Sequence, residues 1–308
     1  MLRPIEGPPP GRRILWARAL GLAKALFAPV ALGFIAYAAW LSRDVMVEVA
    51  TRARMAQVVC AIAAWCLLHL LTPLITRIAL AGMATEIEYR TALEIHIRRL
   101  PARYLPGGIW QTVGRVADLR SRGIDAPRLA ILVAMENAAP FAVALVLSAV
   151  WLSVAGAPKA SVPALGGAGL VLALLIPWAA RRALPSVGRI SAGSYLALLG
   201  TCAAFWLVAG LAFSSYWSAF PGASPEGGLP QLMGSYLLAW SAGFAAIFAP
   251  QGIGVFESVA GLMLDGQLPF ALVAVLVAGF RATTLVGDLL AYAIGLLALR
   301  LIPRGRSD

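Results

Sequence analysis

Apolar runs that are long enough to cross a membrane as helices recur along this 308-residue chain. One transmembrane helix needs about 20 predominantly apolar residues, and a single such run would indicate only an anchor on a soluble domain. The chain is 60% hydrophobic and 13% charged, whereas a soluble domain carries about 25% charged residues. The runs also lack the alternation of apolar and polar residues that is typical of membrane β-barrels. The sequence therefore predicts an all-α, polytopic transmembrane helical bundle.

The predicted membrane segments fall at intervals along the whole chain. They are residues 20–41, 55–80, 128–153, 164–180, 194–220, 231–249 and 268–302. The last is interrupted by Arg281, so it is either one long bent helix or two shorter ones. An apolar segment at 255–264 is too short to span. Arginines near both ends of the chain predict that both termini are cytoplasmic, which requires an even number of crossings, six to eight in all.

The same pattern predicts a simple domain organisation. Residues 1–18 form a basic, disordered cytoplasmic tail, residues 19–302 a single integral membrane domain, and residues 303–308 a second cytoplasmic tail. We expect residues 19–153 and 164–302 to be pseudo-repeat halves. The segment 20–41 also resembles a signal peptide, with Ala36-Tyr37-Ala38 as a cleavage site, but its length and the spans that follow favour an uncleaved helix.

The strong positive charge is explained by topology. The net charge is +11 with a pI near 10.4, but the arginines lie at span ends and in loops, as the positive-inside rule requires. Nucleic acid is therefore not an expected partner. Such arginines also attract anionic lipid headgroups.

Two Pro/Gly interruptions with matching patterns lie beside or within apolar segments. One reads Tyr104-Leu105-Pro106-Gly107-Gly108-Ile109-Trp110-Gln111, and the other reads Phe248-Ala249-Pro250-Gln251-Gly252-Ile253-Gly254-Val255-Phe256-Glu257; their prolines are 144 positions apart (250 minus 106). Irregular backbone at membrane depth is tolerated only where it is buried in protein or lines a wet cavity, and a matched pair is typical of a transport site. The predicted helix breaks are Pro106, Gly107, Gly108, Pro250, Gly252 and Gly254.

The long polar stretch 81–127 contains the first break and is not an ordinary loop. Ile87, Ala92, Ile95 and Leu100 recur at helical spacing within it, which predicts amphipathic or re-entrant helices.

Residues around the first break are candidates for binding a lipid headgroup. Arginine presents a fork of donors that suits phosphate, and backbone can approach a ligand closely at a double glycine. The candidate residues are Arg99, Arg103, Trp110, Gln111 and Arg115. Alternatively, the arginines form a solvated basic face and Trp110 anchors the helix at the membrane interface.

A second set of candidates is polar and lies within the apolar segments: Glu136, Asn137, Glu257, Arg281 and Asp288. Ionisable groups at membrane depth should face the bundle interior and have partners. Glu136 either lines a polar path or pairs with an arginine of residues 98–122 to hold helices together. Glu257 can instead be stabilised at a helix N-terminus, and Arg281 can extend to an interface.

Motifs for catalysis are absent from the sequence. It contains no Walker loop, no GxSxG and no GxGxxG, and His69 and His96 are its only histidines, so no histidine-rich metal site is available. Three cysteines in apolar segments indicate neither a disulfide framework nor a metal site. We expect no enzymatic activity, no cofactor and no metal.

The two breaks, together with Gly114-Arg115, Gly123, Glu136 and Arg281, resemble a family that includes the membrane domain of lysylphosphatidylglycerol synthases and the YbhN-like flippase proteins. The resemblance covers roughly residues 20–300. It implies a multi-pass protein of the bacterial inner (cytoplasmic) membrane that moves a polar or polyprenyl-linked lipid between leaflets during cell-envelope lipid or glycolipid biogenesis. The chain departs from the family pattern at Gln251 and Phe256, so a headgroup preference is not carried over.

The leading hypothesis is thus a flippase-like protein whose substrate is an anionic or lipid-linked membrane lipid. In this hypothesis the arginines bind phosphate, while Glu136 and Glu257 balance charge or exchange protons. Two other hypotheses remain: an integral-membrane transferase that acts on a lipid-linked substrate, and a non-transporting scaffold for envelope-biosynthesis enzymes. The substrate, the energy source and the oligomeric state do not follow from the sequence.

Overall fold

A computed structural model describes residues 40, 47, 51–105, 109–156, 161–246, 252–264 and 270–301 of the chain. Within these residues the protein is helical and contains no β-strand, so the predicted all-α helical bundle is confirmed. The α-helices are α1 (Met55–Ala81), α2 (Tyr89–Arg99), α3 (Trp110–Arg120), α4 (Ala126–Val154), α5 (Ser161–Ala183), α6 (Ala192–Ser218), α7 (Gly228–Ala245), α8 (Val255–Leu264) and α9 (Phe270–Leu301). Two short 3-10 helices cover Leu100–Tyr104 and Pro185–Val187.

Five of these helices, α1, α4, α5, α6 and α9, are long and apolar enough to cross a membrane. At 1.5 Å per residue, even the 23-residue α5 is about 35 Å long, compared with a hydrocarbon thickness of about 30 Å. The protein is therefore an integral membrane protein with several spans. Of the predicted first span at 20–41 only Trp40 is described. Both predicted tails lie outside the described residues, so the crossing count and the terminus orientation stay predictions.

The predicted segments 55–80, 128–153, 164–180 and 194–220 agree closely with α1, α4, α5 and α6. The segment 231–249 corresponds to α7 (Gly228–Ala245), which is not among the five helices long and apolar enough to span. The last segment is one continuous helix, α9, that runs through Arg281, which decides between the two forms that the sequence allowed. α8 has ten residues and is too short to cross, as predicted. The pseudo-repeat relationship of the two halves stays a prediction.

Two groups of helices build the bundle. α1 packs against α6, α2 and α9, while α4 packs against α5, α7 and α6. Small residues let these helices approach closely, as expected where lipid supplies no hydrophobic force between them. A Cβ atom at Gly169 of α5 would lie 2.7 Å from the Ala142 carbonyl oxygen, and one at Gly234 of α7 would lie 2.7 Å from Leu152 Cγ.

The polar stretch between α1 and α4 folds into α2, the first 3-10 helix and α3, which confirms the prediction of helices there. α2 is amphipathic: Ala92, Ile95 and Ile97 are buried, whereas Arg98 is exposed. α2 packs against α1 and α9, and α3 packs against α2 and α4. This packing brings the residues on both sides of the first break against the membrane-spanning helices.

The second break separates α7 from α8. α7 ends at Ala245, α8 begins at Val255, and α8 packs back against α7 and also against α9. A short helix that returns against the preceding helix agrees with the predicted re-entrant element. The break residues Pro106, Gly107, Gly108 and Pro250 lie outside the described residues.

Candidate functional site

Asp288 of α9 accepts hydrogen bonds from four side chains and is only 2% exposed. Trp65 Nε1 and His69 Nε2 of α1 lie 2.7 Å and 2.9 Å from its Oδ1. Arg103 Nη1 and the Tyr104 hydroxyl, both just before the first break, lie 3.1 Å and 2.5 Å from its Oδ2. We call these five residues the Asp288 cluster. It joins the residues just before the first break to two spans, α1 and α9, and the Arg103 guanidinium balances the carboxylate charge.

A buried histidine pair extends this cluster. His69 Nδ1 lies 3.0 Å from His96 Nε2 of α2, and the two residues are 5% and 4% exposed. The other ring nitrogen of His96, Nδ1, is buried and has no hydrogen-bond partner among the described residues. Burial lowers the pKa of His96 well below its ordinary value, and the positive charges of Arg115 and Arg103 act in the same direction.

A second polar group, the Glu136 cluster, consists of Thr76, Arg115 and Glu136 on α1, α3 and α4. Arg115 Nη2 donates to Glu136 Oε1 at 2.6 Å and to Thr76 Oγ1 at 2.8 Å. The Thr76 hydroxyl donates to the same Glu136 oxygen at 2.5 Å. The Arg115 and Glu136 side chains are only 14% and 13% exposed. The pairing of Glu136 with an arginine of residues 98–122, one of the two alternatives above, is therefore present.

A cavity of about 240 Å³ lies between the two clusters, and we call it the polar cavity. One part of its lining is charged or polar and includes His69, His96, Arg103, Gln111, Arg115 and Glu136. The apolar part of the lining is mainly aromatic, with Trp65, Phe205, Trp206, Tyr236, Trp240 and Phe244, and is completed by Leu68, Ile75, Leu100 and Pro140. The aromatic rings hold one another: the Trp206 and Trp240 ring centroids are 4.4 Å apart, and Trp240 stacks on Phe244. The cavity is thus amphipathic.

A separate pocket of about 430 Å³ lies between α1, α2 and α9 and is lined mainly by aliphatic side chains. His69 lines both this apolar pocket and the polar cavity. The larger pocket has little polar chemistry of its own. The polar cavity is therefore the better candidate for a functional site, with an apolar pocket beside it.

The described residues after the second break form a third polar contact. Gly254 N–H donates to Glu257 Oε2 at 2.7 Å, so the carboxylate lies at the N-terminus of α8, as the sequence allowed. Arg281 Nε lies 2.9 Å from Glu257 Oε1, in a charge contact that lacks hydrogen-bond alignment. The Arg281 guanidinium also lies 5.4 Å from the centre of the Phe256 ring. Arg281 thus pairs across two helices.

The described residues on both sides of the first break, Arg103 and Gln111, line the polar cavity. The second break reaches it indirectly, because the Phe256 ring of α8 lies 5.9 Å from that of Tyr236, which is part of the lining. Described residues beside the first break therefore line the cavity, whereas Phe256 after the second break contacts one residue of its lining.

The sequence-predicted residues divide into three groups. Arg103, Gln111, Arg115, Glu136 and Asn137 line the polar cavity. Glu257, Arg281 and Asp288 are buried or half-buried polar groups outside its lining, and the last belongs to the Asp288 cluster. Arg99 and Trp110 do not line the cavity: Arg99 forms a bidentate pair with Asp118 at 2.7 Å, and the Trp110 side chain is half exposed.

Sequence reasoning missed the histidines and their neighbours. The sequence pattern indicated His69 and His96 only as possible metal ligands and Tyr104 only as part of the first break, and it indicated no role for Trp65 or Thr76. The signal that could have indicated them is a histidine within the apolar run of α1, which requires a buried hydrogen-bond partner. Within the described residues no group of side chains is suited to hold a metal ion.

A comparison of the sequence with known protein families gives no match, and no curated protein matches it. The family resemblance of the two breaks therefore stays a prediction.

Proposed function

We propose that this membrane protein holds the polar headgroup of a membrane lipid in the polar cavity and moves that lipid between leaflets, as a flippase. The observation that carries the proposal is the cavity lining, which combines charged groups and aromatic rings inside a bundle of membrane spans. Ionisable groups on spanning helices are costly, so they are a functional hypothesis by default. Glu136 of α4 and Asp288 of α9 are two such groups.

The size of the cavity favours a headgroup over a whole lipid. A volume of about 240 Å³ corresponds to about eight water molecules at ~30 Å³ each. Pockets for drug-sized ligands occupy ~300–1,000 Å³. A small polar headgroup fits this space while the acyl or isoprenoid tails stay in the bilayer or in the apolar pocket between α1, α2 and α9.

The charge balance of the cavity limits the ligand further. Each arginine of its lining faces a carboxylate, Arg103 with Asp288 and Arg115 with Glu136, so the two pairs add no net charge. The hydrogen bonds of Arg115 to described residues all come from Nη2. Because a guanidinium carries five N–H donors, the Nε and Nη1 donors can contact a lipid phosphate without breaking the pair.

In the cell, we place this activity in the bacterial inner membrane, beside enzymes of cell-envelope lipid or glycolipid biogenesis. This part of the proposal depends on the resemblance of the two breaks. No bond is made or broken in the proposed movement, so it requires neither catalysis nor a cofactor.

The test is lipid movement in proteoliposomes of phosphatidylcholine with a minor fraction of phosphatidylglycerol and a trace of acyl-chain-labelled fluorescent phosphatidylglycerol. A membrane-impermeant reductant bleaches only the outer leaflet, so complete bleaching reports transfer. Thr72→Phe fills the cavity without touching an ion pair. Thr201→Phe is a matched control, because both hydroxyls donate to the carbonyl four residues earlier in their own helices, and Thr201 does not line the cavity.

We expect transfer by the wild type and by Thr201→Phe, and little transfer by Thr72→Phe. Equal transfer by all three would show that the polar cavity is not the path. An absence of transfer by folded wild-type protein would instead favour the scaffold. Incorporation of label from a soluble donor into lipid by the purified protein would favour the transferase.

A further inference from the structure

The hydrogen bonds of the Asp288 cluster fix the proton positions along the histidine pair. Asp288 receives hydrogen bonds from four donors. An ionised carboxylate has enough acceptor sites for all four, whereas a protonated carboxyl group has fewer. Arg103 already balances its charge, so a second cation at buried His69 would be uncompensated. His69 is therefore neutral, and its Nε2–H donates to Asp288.

The remaining positions follow from the tautomers of the two rings. Since a neutral imidazole has one donor and one acceptor, His69 Nδ1 is an acceptor. It accepts the proton of His96 Nε2, 3.0 Å away. The opposite nitrogen of His96, Nδ1, then carries a lone pair and no proton.

That lone pair lacks a partner in the described part of the chain. His96 Nδ1 is buried without a hydrogen bond, although buried polar atoms are almost always paired. His96 is also part of the lining of the polar cavity. An unpaired acceptor at a cavity indicates a ligand that brings a hydrogen-bond donor.

The charges around His96 decide which kind of donor is favoured. Each arginine is paired with a carboxylate, but at the His96 ring the positive charges of Arg115 and Arg103 outweigh the opposing charge of Asp288. An ammonium group would meet repulsion beside these guanidinium groups, whereas an uncharged hydroxyl would not. A hydroxyl group is therefore the better match.

We propose that His96 Nδ1 accepts a hydrogen bond from a headgroup hydroxyl, so that the polar cavity selects lipids with a polyol headgroup, either glycerol or a sugar. This inference rests on the proposed function, because it names the substrate class of the same cavity. Asp288 and His69 act as positioning residues, since they hold His96 with its lone pair available.

The test compares two anionic lipids that differ only in hydroxyl groups. Fluorescent phosphatidylglycerol and fluorescent phosphatidylpropanol carry the same phosphodiester charge and a three-carbon headgroup. The headgroup of the first has two hydroxyls, and that of the second has none. Transfer in proteoliposomes and equilibrium binding to the purified full-length protein in detergent are both measured. A fluorescent monoglucosyl-diacylglycerol in the same assays distinguishes a sugar headgroup from glycerol.

Two variants separate ligand recognition from a structural role. In His96→Gln the amide reaches the Nε2 position, so the contact with His69 can persist while the acceptor at Nδ1 is lost. In His96→Asn the amide oxygen takes the Nδ1 position, so the acceptor persists while the contact with His69 is lost. Thermal unfolding shows that each variant is folded.

We expect the wild type to prefer phosphatidylglycerol over phosphatidylpropanol by up to about tenfold, as one hydrogen bond allows. His96→Gln should lose this preference and His96→Asn should keep part of it. Equal handling of the two lipids by the wild type, or an unchanged preference in His96→Gln, overturns the inference. A binding preference without any transfer supports the recognition by His96 and contradicts only the proposed movement.

Discussion

Arg103 Nη1 lies 3.1 Å from Asp288 Oδ2, although the two residues are 185 positions apart in the chain. This contact joins the residues before the first Pro/Gly break to the last membrane-spanning helix. The Asp288 side chain is 2% exposed and that of Arg103 is 41% exposed, so the carboxylate is buried and the guanidinium reaches the surface of the cluster.

Asp288→Asn should destabilise the fold. It removes the charge that balances Arg103 and puts an amide donor among groups that also donate. Breaking a buried ion pair costs about 3–5 kcal/mol. Because Arg103 is partly exposed, we expect the loss of the Arg103–Asp288 pair to cost an amount near the lower limit of that range. At ~2–4 °C per kcal/mol, the melting temperature in detergent should fall by roughly 6–12 °C.

Asp118→Asn is the matched control for that change. Asp118 also pairs with an arginine, Arg99, but the two side chains are 25% and 42% exposed. Exposed pairs contribute at most about 1 kcal/mol, so the melting temperature should hardly move. Equal shifts for the two variants would contradict the assignment of Asp288 as a buried structural carboxylate.

The Arg115–Glu136 pair predicts strong coupling between two substitutions. Arg115→Gln and Glu136→Gln each leave one buried charge without its partner, so each should cost about 3 kcal/mol or more. The double variant removes both charges and should be more stable than either single variant. A double-mutant cycle on melting temperatures measures this coupling, and additive losses would show that the pair is not formed.

Gly252 should not tolerate alanine. Its φ is +65°, a region that costs other residues about 1–2 kcal/mol, and a Cβ atom there would lie 2.8 Å from Gly243 Cα. Gly252→Ala should therefore lower the melting temperature and push α8 away from α7. Gly200 is a suitable control, because it is helical and a Cβ atom there meets nothing within 4 Å. Gly200→Ala should be neutral or stabilising by up to about 1 kcal/mol, and the reverse order would contradict the close approach of Gly252 to Gly243.

The buried His96 predicts a dependence of stability on pH. Burial and the nearby charges lower its pKa in the folded protein, whereas the unfolded value is about 6.5. As the pH falls below ~6.5 the unfolded chain takes up a proton that the folded chain refuses, so stability is lost by up to ~1.4 kcal/mol per pH unit. The charged or titratable groups that act on it are Arg103, Arg115, His69 and Asp288.

The measurement compares wild type with His96→Gln between pH 7 and 5. The wild type should lose more stability than the variant as the pH falls, because only the wild type contains the His96 imidazole. Parallel stability curves would show that His96 is not buried as a neutral imidazole.

The spans could be predicted from sequence because a helix that crosses a membrane requires a long, predominantly apolar run of residues. For α1 the predicted segment 55–80 and the helix Met55–Ala81 agree within one residue. The ten-residue α8 was also predicted, since Pro250 and the glycines interrupt the apolar run before it.

The partners of the polar residues could not be predicted, because they depend on which helices pack together. Asp288 and His69 are 219 positions apart, and nothing in the local sequence of either one indicates the other. Arg99 illustrates the same dependence on packing. Its guanidinium suited the binding of a lipid phosphate, but the fold places the Asp118 carboxylate beside it. Composition indicated the chemistry, and packing decided which groups meet.

The most direct test of the central claim, that one polar cavity holds a lipid headgroup, is the reactivity of a cysteine placed at Thr72. The three native cysteines are replaced by alanine, and the single-cysteine protein in phosphatidylcholine vesicles is treated with a charged, membrane-impermeant thiol reagent. Our account predicts that Thr72→Cys is modified, that added phosphatidylglycerol slows the modification, and that Thr201→Cys shows no such protection. Modification of Thr72→Cys at the same rate with and without phosphatidylglycerol would contradict it.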